Sequence, residues 1–357
     1  MHDTRSPVVL EEVRFDDLPG WPDDDHLAAY QAFVSSAPAL LNAGSARFAG
    51  ICRAMLAATD FPPDSETARR FFEIRFTPFK LVHHESDGLL TGYYEPELCG
   101  SRERSSEFTV PVLARPPDLV NLVEESERGA MSERMTHARS GTDGELCTYS
   151  TRKEIDEGAL AGQGLELLYL ADDVDLFFMQ VQGSGLIRLT DGSSLRLIYA
   201  GKNGHRYTSI GRHLIETGVF SPEAMNLQAL IDWLKADLER ARAVLWRNES
   251  YVFFRVLGPE DETRPLGTNE IPLTPLRSLA VDTAFYELGQ PIFVCAPGLD
   301  HIVADASGFN RLMVAHDVGS AIKGAERGDL FCGSGLLAGA KAGMTKHPVN
   351  FFALVPK

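Results

Sequence analysis

At 357 residues the chain has room for two domains, or for one large domain carrying an insertion, and 44% hydrophobic with 24% charged residues excludes a collagen-like, low-complexity or disordered chain. Its 34 Lys and Arg stand against 50 Asp and Glu, a net charge of −16, so no cationic face for displacing phosphate counterions is expected and nucleic acid is excluded as a partner. No apolar run reaches the roughly 18 residues of a membrane-spanning helix, and the start Met1-His2-Asp3-Thr4 lacks the basic and apolar regions of a secretory signal.

From about His26 to Phe76 apolar residues recur at helical spacing (Leu27, Tyr30, Phe33, then Phe48, Ile51, Met55), which predicts short helices, two of them separated by Pro62-Pro63. A β region begins near Lys80, with a strand over Leu89 to Pro96. Gly100 to Asp143 is rich in Ser, Arg, Glu and Pro and reads as the strand Pro111 to Ala114 plus a long surface loop. Three strands are expected next, Phe177 to Gln182, Leu186 to Leu189 and Leu195 to Tyr199, joined by tight turns at Gly183-Ser184-Gly185 and Asp191-Gly192. Tyr207 to Glu216 and Pro222 to Trp246 read as helices, with Thr217-Gly218 as a stop and Ser221-Pro222 as a start. Short β runs follow at Tyr251 to Val256, Ser278 to Val281, Pro291 to Cys295, Arg311 to Ala315 and Val349 to Val355, so the C-terminal third reads as a barrel.

Several candidate chemistries fail on context. Gly333-Ser334-Gly335-Leu336-Leu337-Ala338 fits a dinucleotide fingerprint, but no β-α-β unit is expected in the chain that remains. Cys332 with His316 or His347 is conceivable as a nucleophile pair, yet a lone Cys between Phe331 and Gly333 reads as a small buried hydrophobe. Cys52, Cys99, Cys147, Cys295 and Cys332 contain no CxxC pair and leave room for one bridge. His83-His84 point to opposite faces of a strand, and Asp172-Asp173-Val174-Asp175 lacks the glycine and Glu of a calcium loop, so neither metal nor cofactor is expected.

The tail stands out. Seven glycines fall between Asp317 and Gly343, where average usage of about 7% gives about two. Within it lie Asp317 and Asp329, each beside a Gly at a strand end, with Lys323 between them. Such residues serve either as turn formers or as a carboxyl pair for acid and base work on a sugar or ester. Tyr93, Tyr94 and Glu95, then Gln180 and Gln182 on one face of their strand with Gly183 and Ser184, and finally Lys202, Asn203 and His205, add aromatic faces, amides and glycines that suit a sugar-binding groove.

Taken together, Thr91-Gly92-Tyr93-Tyr94-Glu95-Pro96, Val181 to Gly185, Tyr199-Ala200-Gly201-Lys202-Asn203-Gly204-His205, Tyr207 with Ser209-Ile210-Gly211, Tyr251 to Phe254, and Ala315 to Gly324 with Gly328 to Gly335 resemble the membrane-bound lytic murein transglycosylase A family with its three-aspartate domain, over roughly Leu90 to the end. The resemblance implies a mainly β protein with helices, an α+β fold: a double-psi β-barrel from residues 1–105 and 249–357, its three-aspartate region about 270–357, and a smaller inserted β-rich domain at 106–248, with a glycan groove between. It implies cleavage of the β-1,4 bond between N-acetylmuramic acid and N-acetylglucosamine without water, leaving a 1,6-anhydro end. Asp282, Asp317 and Asp329 take the places of the family's three aspartates, Asp329 that of the catalytic acid, with Asp317 orienting it and supporting its pKa and Lys323 as a structural or substrate-contacting cation. Ser320 stands where many members have a second Gly. The implied setting is the periplasm or cell envelope of a Gram-negative bacterium, as a monomer on peptidoglycan strands and within cell-wall enzyme complexes, although no lipoprotein signal with its modifiable cysteine precedes the domain. A groove less acidic than the remaining surface is expected, because the wall polymer is anionic. Two alternatives stay open: an inverting hydrolase using Asp317 and Asp329, which needs roughly 6.5 to 9.5 Å between carboxyls, and a wall-binding module without activity.

Overall fold

The structure is a computed structural model that describes residues 9–42, 45–57, 62–82, 88–122, 136–141, 144–258, 264–302 and 308–357. The chain begins with β1 (Val9–Glu12), α1 (His26–Asn42), α2 (Ala49–Ala57), α3 (Ser65–Arg75), β2 (Phe76–Val82) and β3 (Gly88–Glu95). Helices thus occupy the stretch whose spacing is helical. Asp64 starts α3 by accepting from Thr67 N–H at 2.8 Å, a cap worth about 1 kcal/mol. His83 and His84 lie outside the described residues.

The middle of the chain holds β4 (Glu97–Ser101), β5 (Val110–Leu113), β6 (Leu119–Asn121), β7 (His137–Ser140), β8 (Leu146–Cys147), α4 (Arg152–Asp156), β9 (Glu166–Leu170), α5 (Asp173–Gln182), β10 (Ser184–Leu189) and β11 (Ser194–Lys202). Then come α6 (Ile210–Glu216), α7 (Leu227–Lys235), α8 (Leu238–Leu245) and β12 (Val252–Val256). The last third is β13 (Ser278–Val281), β14 (Pro291–Ala296), β15 (Phe309–Val318), β16 (Arg327–Ser334), α9 (Leu336–Met344) and β17 (Lys346–Pro356).

Six strands close into a barrel in the order β3-β16-β13-β15-β14-β17 and back to β3, with β2 and β1 continuing outward from β17. The β3/β16 and β13/β15 pairs are parallel and β13/β16 is antiparallel. Closure removes the open edges that would otherwise invite pairing with another chain. This is the double-psi barrel and mixed α+β fold expected above. Ile292 and Val294 of β14 point to one core with Leu279, Met313 and Leu330, while Phe293 and Cys295 point to another under α1 to α3 with Phe33, Phe48 and Phe72. Burial on both faces explains why β14 reads as a continuous apolar run. Each of these fully buried rings contributes roughly 1.5–3 kcal/mol.

A second sheet runs β12-β11-β10-β4-β9-β5, and a bridge between Ala114 and Phe254 brings its two edges together. It includes β4 and β12, which lie in stretches assigned above to the first unit. The expected strand Phe177 to Gln182 is the second half of α5. Asp172 caps its start by accepting from Asp175 N–H at 2.8 Å, and Gly183, at φ 85, ends it. Leu176 and Met179 fill the second sheet while Val174, Phe177 and Phe178 pack on α6, α7 and α8. Pro222 lies ahead of the next helix, which starts at Leu227 with Asn226 as its cap. A helix, α9, follows Gly333-Ser334-Gly335, but β17 after it runs antiparallel to β14, β2 and β3, so no β-α-β unit forms. All five cysteines are free.

A buried ion pair ties the two barrels together. Glu95, at the end of β3, accepts from Arg196 Nε of β11 at 2.6 Å and from Ser334 Oγ of β16 at 2.6 Å.

Candidate active site

Between the barrels lies a cleft of about 860 Å³. Tyr93, Asp317, Arg327 and Asp329 line its first-barrel wall, and Gln180, Gln182, Gly183, Ser184 and Lys202 line the opposite one.

Sheet register brings the two aspartates into one row. Asp317 of β15 pairs with Ala280 of β13, Ala280 with Asp329 of β16, and Asp329 with Thr91 of β3. The β13/β15 ladder passes from Leu279/Ala315 directly to Ala280/Asp317, so His316 is the bulged residue. Without that bulge, period two would turn Asp317 to the other face. Two strand spacings put the aspartate Cα atoms roughly 9–10 Å apart. His316 itself is fully buried, bonded through Nδ1 to Ser278 Oγ at 2.7 Å, and burial pushes its pKa down to about 3. It is a neutral structural imidazole.

Burial raises both carboxyls to about 6, and their surroundings differ. Asp317 Oδ1 accepts from Thr268 N–H at 3.1 Å, Thr268 Oγ1 at 2.9 Å and Val318 N–H at 2.9 Å, and Oδ2 accepts from Tyr93 OH at 3.1 Å. Four donors favour the anion. Asp329 Oδ1 accepts only from Thr91 Oγ1, at 2.5 Å, and its other oxygen has no protein partner among the described residues. Desolvation raises its pKa most, and the charge of Asp317 raises it further, against Thr91 and Arg327. The charge of Asp317 is thus one cause that favours the protonated form of Asp329.

The remaining expected residues divide by strand face. Tyr94 donates its N–H to Gln182 Oε1 at 3.0 Å, and its ring packs against Gly339 of α9, away from the cleft. Glu95 is consumed by the inter-barrel ion pair. Asn203 is fully buried and donates to Ser150 O and Glu249 O while accepting from Tyr251 N–H, which pins loops rather than sugar. His205 Nε2 lies 2.7 Å from Tyr149 O. Asp282 is buried and accepts from Ala284 N–H at 3.1 Å and Gly324 N–H at 2.9 Å, a turn cap. Asn203, His205, Asp282 and Lys323 do not line the cleft. Cys332 is buried, with its thiol pushed up to about 12, and is no nucleophile.

Sequence reasoning missed Thr91, Thr268, Arg327 and Arg152. Arg327 and Thr91 were within reach, Arg327 two residues from Asp329 on one strand and Thr91 two before Tyr93. Thr268 comes from a separate turn and leaves no local signal. The cleft carries Arg115, Arg152, Lys202, Arg255 and Arg327 against Glu270, Asp317 and Asp329, a cationic excess in a chain of net charge −16.

Two closed barrels facing each other across a cleft with a carboxyl pair define a class of protein, and comparison with known proteins places the chain within it. Residues 89–255 match the MltA specific insert domain and residues 277–355 the 3D domain. A crystal structure of the membrane-bound lytic murein transglycosylase from Agrobacterium tumefaciens is 34% identical, with a TM-score of 0.85 and 97% of each chain covered. The Escherichia coli MltA structure with bound chitohexaose is 27% identical, with a TM-score of 0.70, covering 100% of this chain and 96% of that one. Membrane-bound lytic murein transglycosylase A of Vibrio cholerae is 37% identical over 265 residues, 72% of this chain. The match spans 63% of that relative's length. The chain belongs to the membrane-bound lytic murein transglycosylase A family.

Proposed function

We propose that the protein is a lytic transglycosylase of peptidoglycan, working in the bacterial cell envelope, with the two barrels as its two domains and the glycan strand held in the cleft between them. Asp329 donates its proton to the glycosidic oxygen as the bond from C1 of N-acetylmuramic acid breaks. The C6 hydroxyl of the same sugar then bonds to C1, and the Asp329 carboxylate takes the hydroxyl proton. One carboxyl serves as acid and then as base. The attacking oxygen belongs to the sugar itself, so proximity replaces activation of water.

The observation that carries this reading is the contrast in hydrogen bonding. Asp317 meets four donors, three on Oδ1 and one on Oδ2, which hold it as a fixed anion rather than as the base that activates water in an inverting hydrolase. Asp329 keeps one oxygen free at the cleft. The neutral imidazole of His316 faces Ser278 and offers no competing base. Family membership and the chitohexaose-bound relative support a glycan as the ligand.

Asp329→Asn is expected to cut turnover of purified murein sacculi about 10²–10⁴-fold, with binding of a murein oligosaccharide retained. Undiminished turnover contradicts the assignment, and a wild-type protein that binds without cutting is the wall-binding module instead.

A further inference from the structure

Arg152 opens α4 under the cap of Thr151, whose Oγ1 accepts from Glu154 N–H. It is 3% exposed, and its guanidinium lies 4.7 Å from the Phe177 ring centroid and 5.2 Å from that of Tyr251. Nε donates to Asn248 O at 3.1 Å and Nη2 to Ser250 O at 2.7 Å. Among the described residues Nη1 has no hydrogen-bond partner, and Arg152 forms part of the cleft wall.

Among the described residues no carboxylate stands within ion-pair distance of this guanidinium, and Asp156 and Asp173 act on it only from further away. The nearby Asp156 accepts from Trp246 Nε1 at 2.9 Å, and Asp173 is paired with Arg242 at 2.6 Å. The guanidinium is held by carbonyls on one side and by two aromatic faces, and on the cleft side it keeps an N–H for an incoming anion. Its planar fork suits a carboxylate better than a hydroxyl. Tyr207 lines the cleft within the field of the guanidinium and adds a phenol to the same wall.

We propose that Arg152 docks a carboxylate of the substrate, so that the cleft reads the acid groups on muramyl units in addition to the sugar backbone. The proposal rests on the glycan reading above. The acid is either a free lactyl arm or a peptide stem, and both present the same group to Nη1. Arg152 is then a specificity residue on the second-barrel wall, supplied by an element other than those holding Asp317 and Asp329.

The test uses Asp329→Asn protein, to prevent turnover, titrated by calorimetry with four oligosaccharides of equal length. These are chitohexaose, stem-free murein with free lactyl acids, stem-bearing murein, and stem-bearing murein with its carboxyls amidated. Acid-bearing ligands are expected to bind about tenfold tighter than chitohexaose, with amidation abolishing the advantage, and the stem-free arm tells which acid is read. Adding Arg152→Lys should shrink the ratio of free-acid to amidated affinity. Affinity for both the stem-free and the stem-bearing acid ligands no greater than for amidated murein overturns the carboxylate subsite while the glycan reading survives. Failure of all four ligands to bind overturns both. The amidation arm alters only the ligand, so it stands even where Arg152→Lys perturbs folding.

Discussion

Desolvation acts on Asp317 and Asp329 alike, so what separates them is how many donors each meets. Asp317 must be charged for its four donors to be used well, and that charge helps hold the proton on Asp329. In the proposed mechanism the acid form of Asp329 is the active one, and its population falls as pH rises through about 6, so turnover should decline on the alkaline side of that value. Removing the Asp317 charge removes one cause that raises the Asp329 pKa. Asp317→Asn is therefore expected to move the alkaline limb of kcat/KM to lower pH, and a limb left in place would show that Asp317 does not tune the acid. Both aspartates stood out in the sequence through the glycine-dense tail, and their roles came with the family resemblance. Their unequal hydrogen bonding did not, because Thr268, Tyr93 and Thr91 reach them from segments 49, 224 and 238 residues away.

Among the elements, the turn before β13 shows how little room the site has. A Cβ on Gly267 would sit 2.5 Å from His316 O and 3.2 Å from Asp317 Cγ. Its φ of −89° suits any residue, so the obstacle is steric. Gly267→Ala is expected to push Thr268 off Asp317 and to cost about 1–3 kcal/mol of stability, with kcat falling more than the loss of folded protein explains. Wild-type kcat per folded molecule would mean that the Thr268 contacts are dispensable. Helix α5 illustrates the limit of periodicity. Phe177-Phe178-Met179-Gln180-Val181-Gln182 looked like a strand because α5 is buried on two sides, which hides a 3.6-residue stripe. Its ends were more legible than its middle: an acidic N-cap at Asp172 and a left-handed Gly at 183 are helix signals. The β runs of the last third were easier, since β13, β14, β15 and β17 each contain a continuous apolar run, whereas the glycines of β16 disguise it as a turn.

Across the whole molecule, the cleft depends on two barrels being held at a fixed separation, and Glu95 with Arg196 is the buried strut between them. Removing one partner strands the other charge, so Arg196→Met should lower stability to urea by about 3–5 kcal/mol; a loss under about 1 kcal/mol would show that the pair is incidental. The two-barrel plan was visible in outline as β runs around a middle segment. The edges of the second sheet were not, because β4 and β12 join it only through long-range pairing with β10 and β11. The account as a whole turns on whether water enters the reaction. Digesting sacculi in water enriched in heavy oxygen and weighing the released fragments by mass spectrometry answers this directly. The account predicts anhydro ends, one water lighter than hydrolysis products and carrying no label; labelled reducing ends would contradict it.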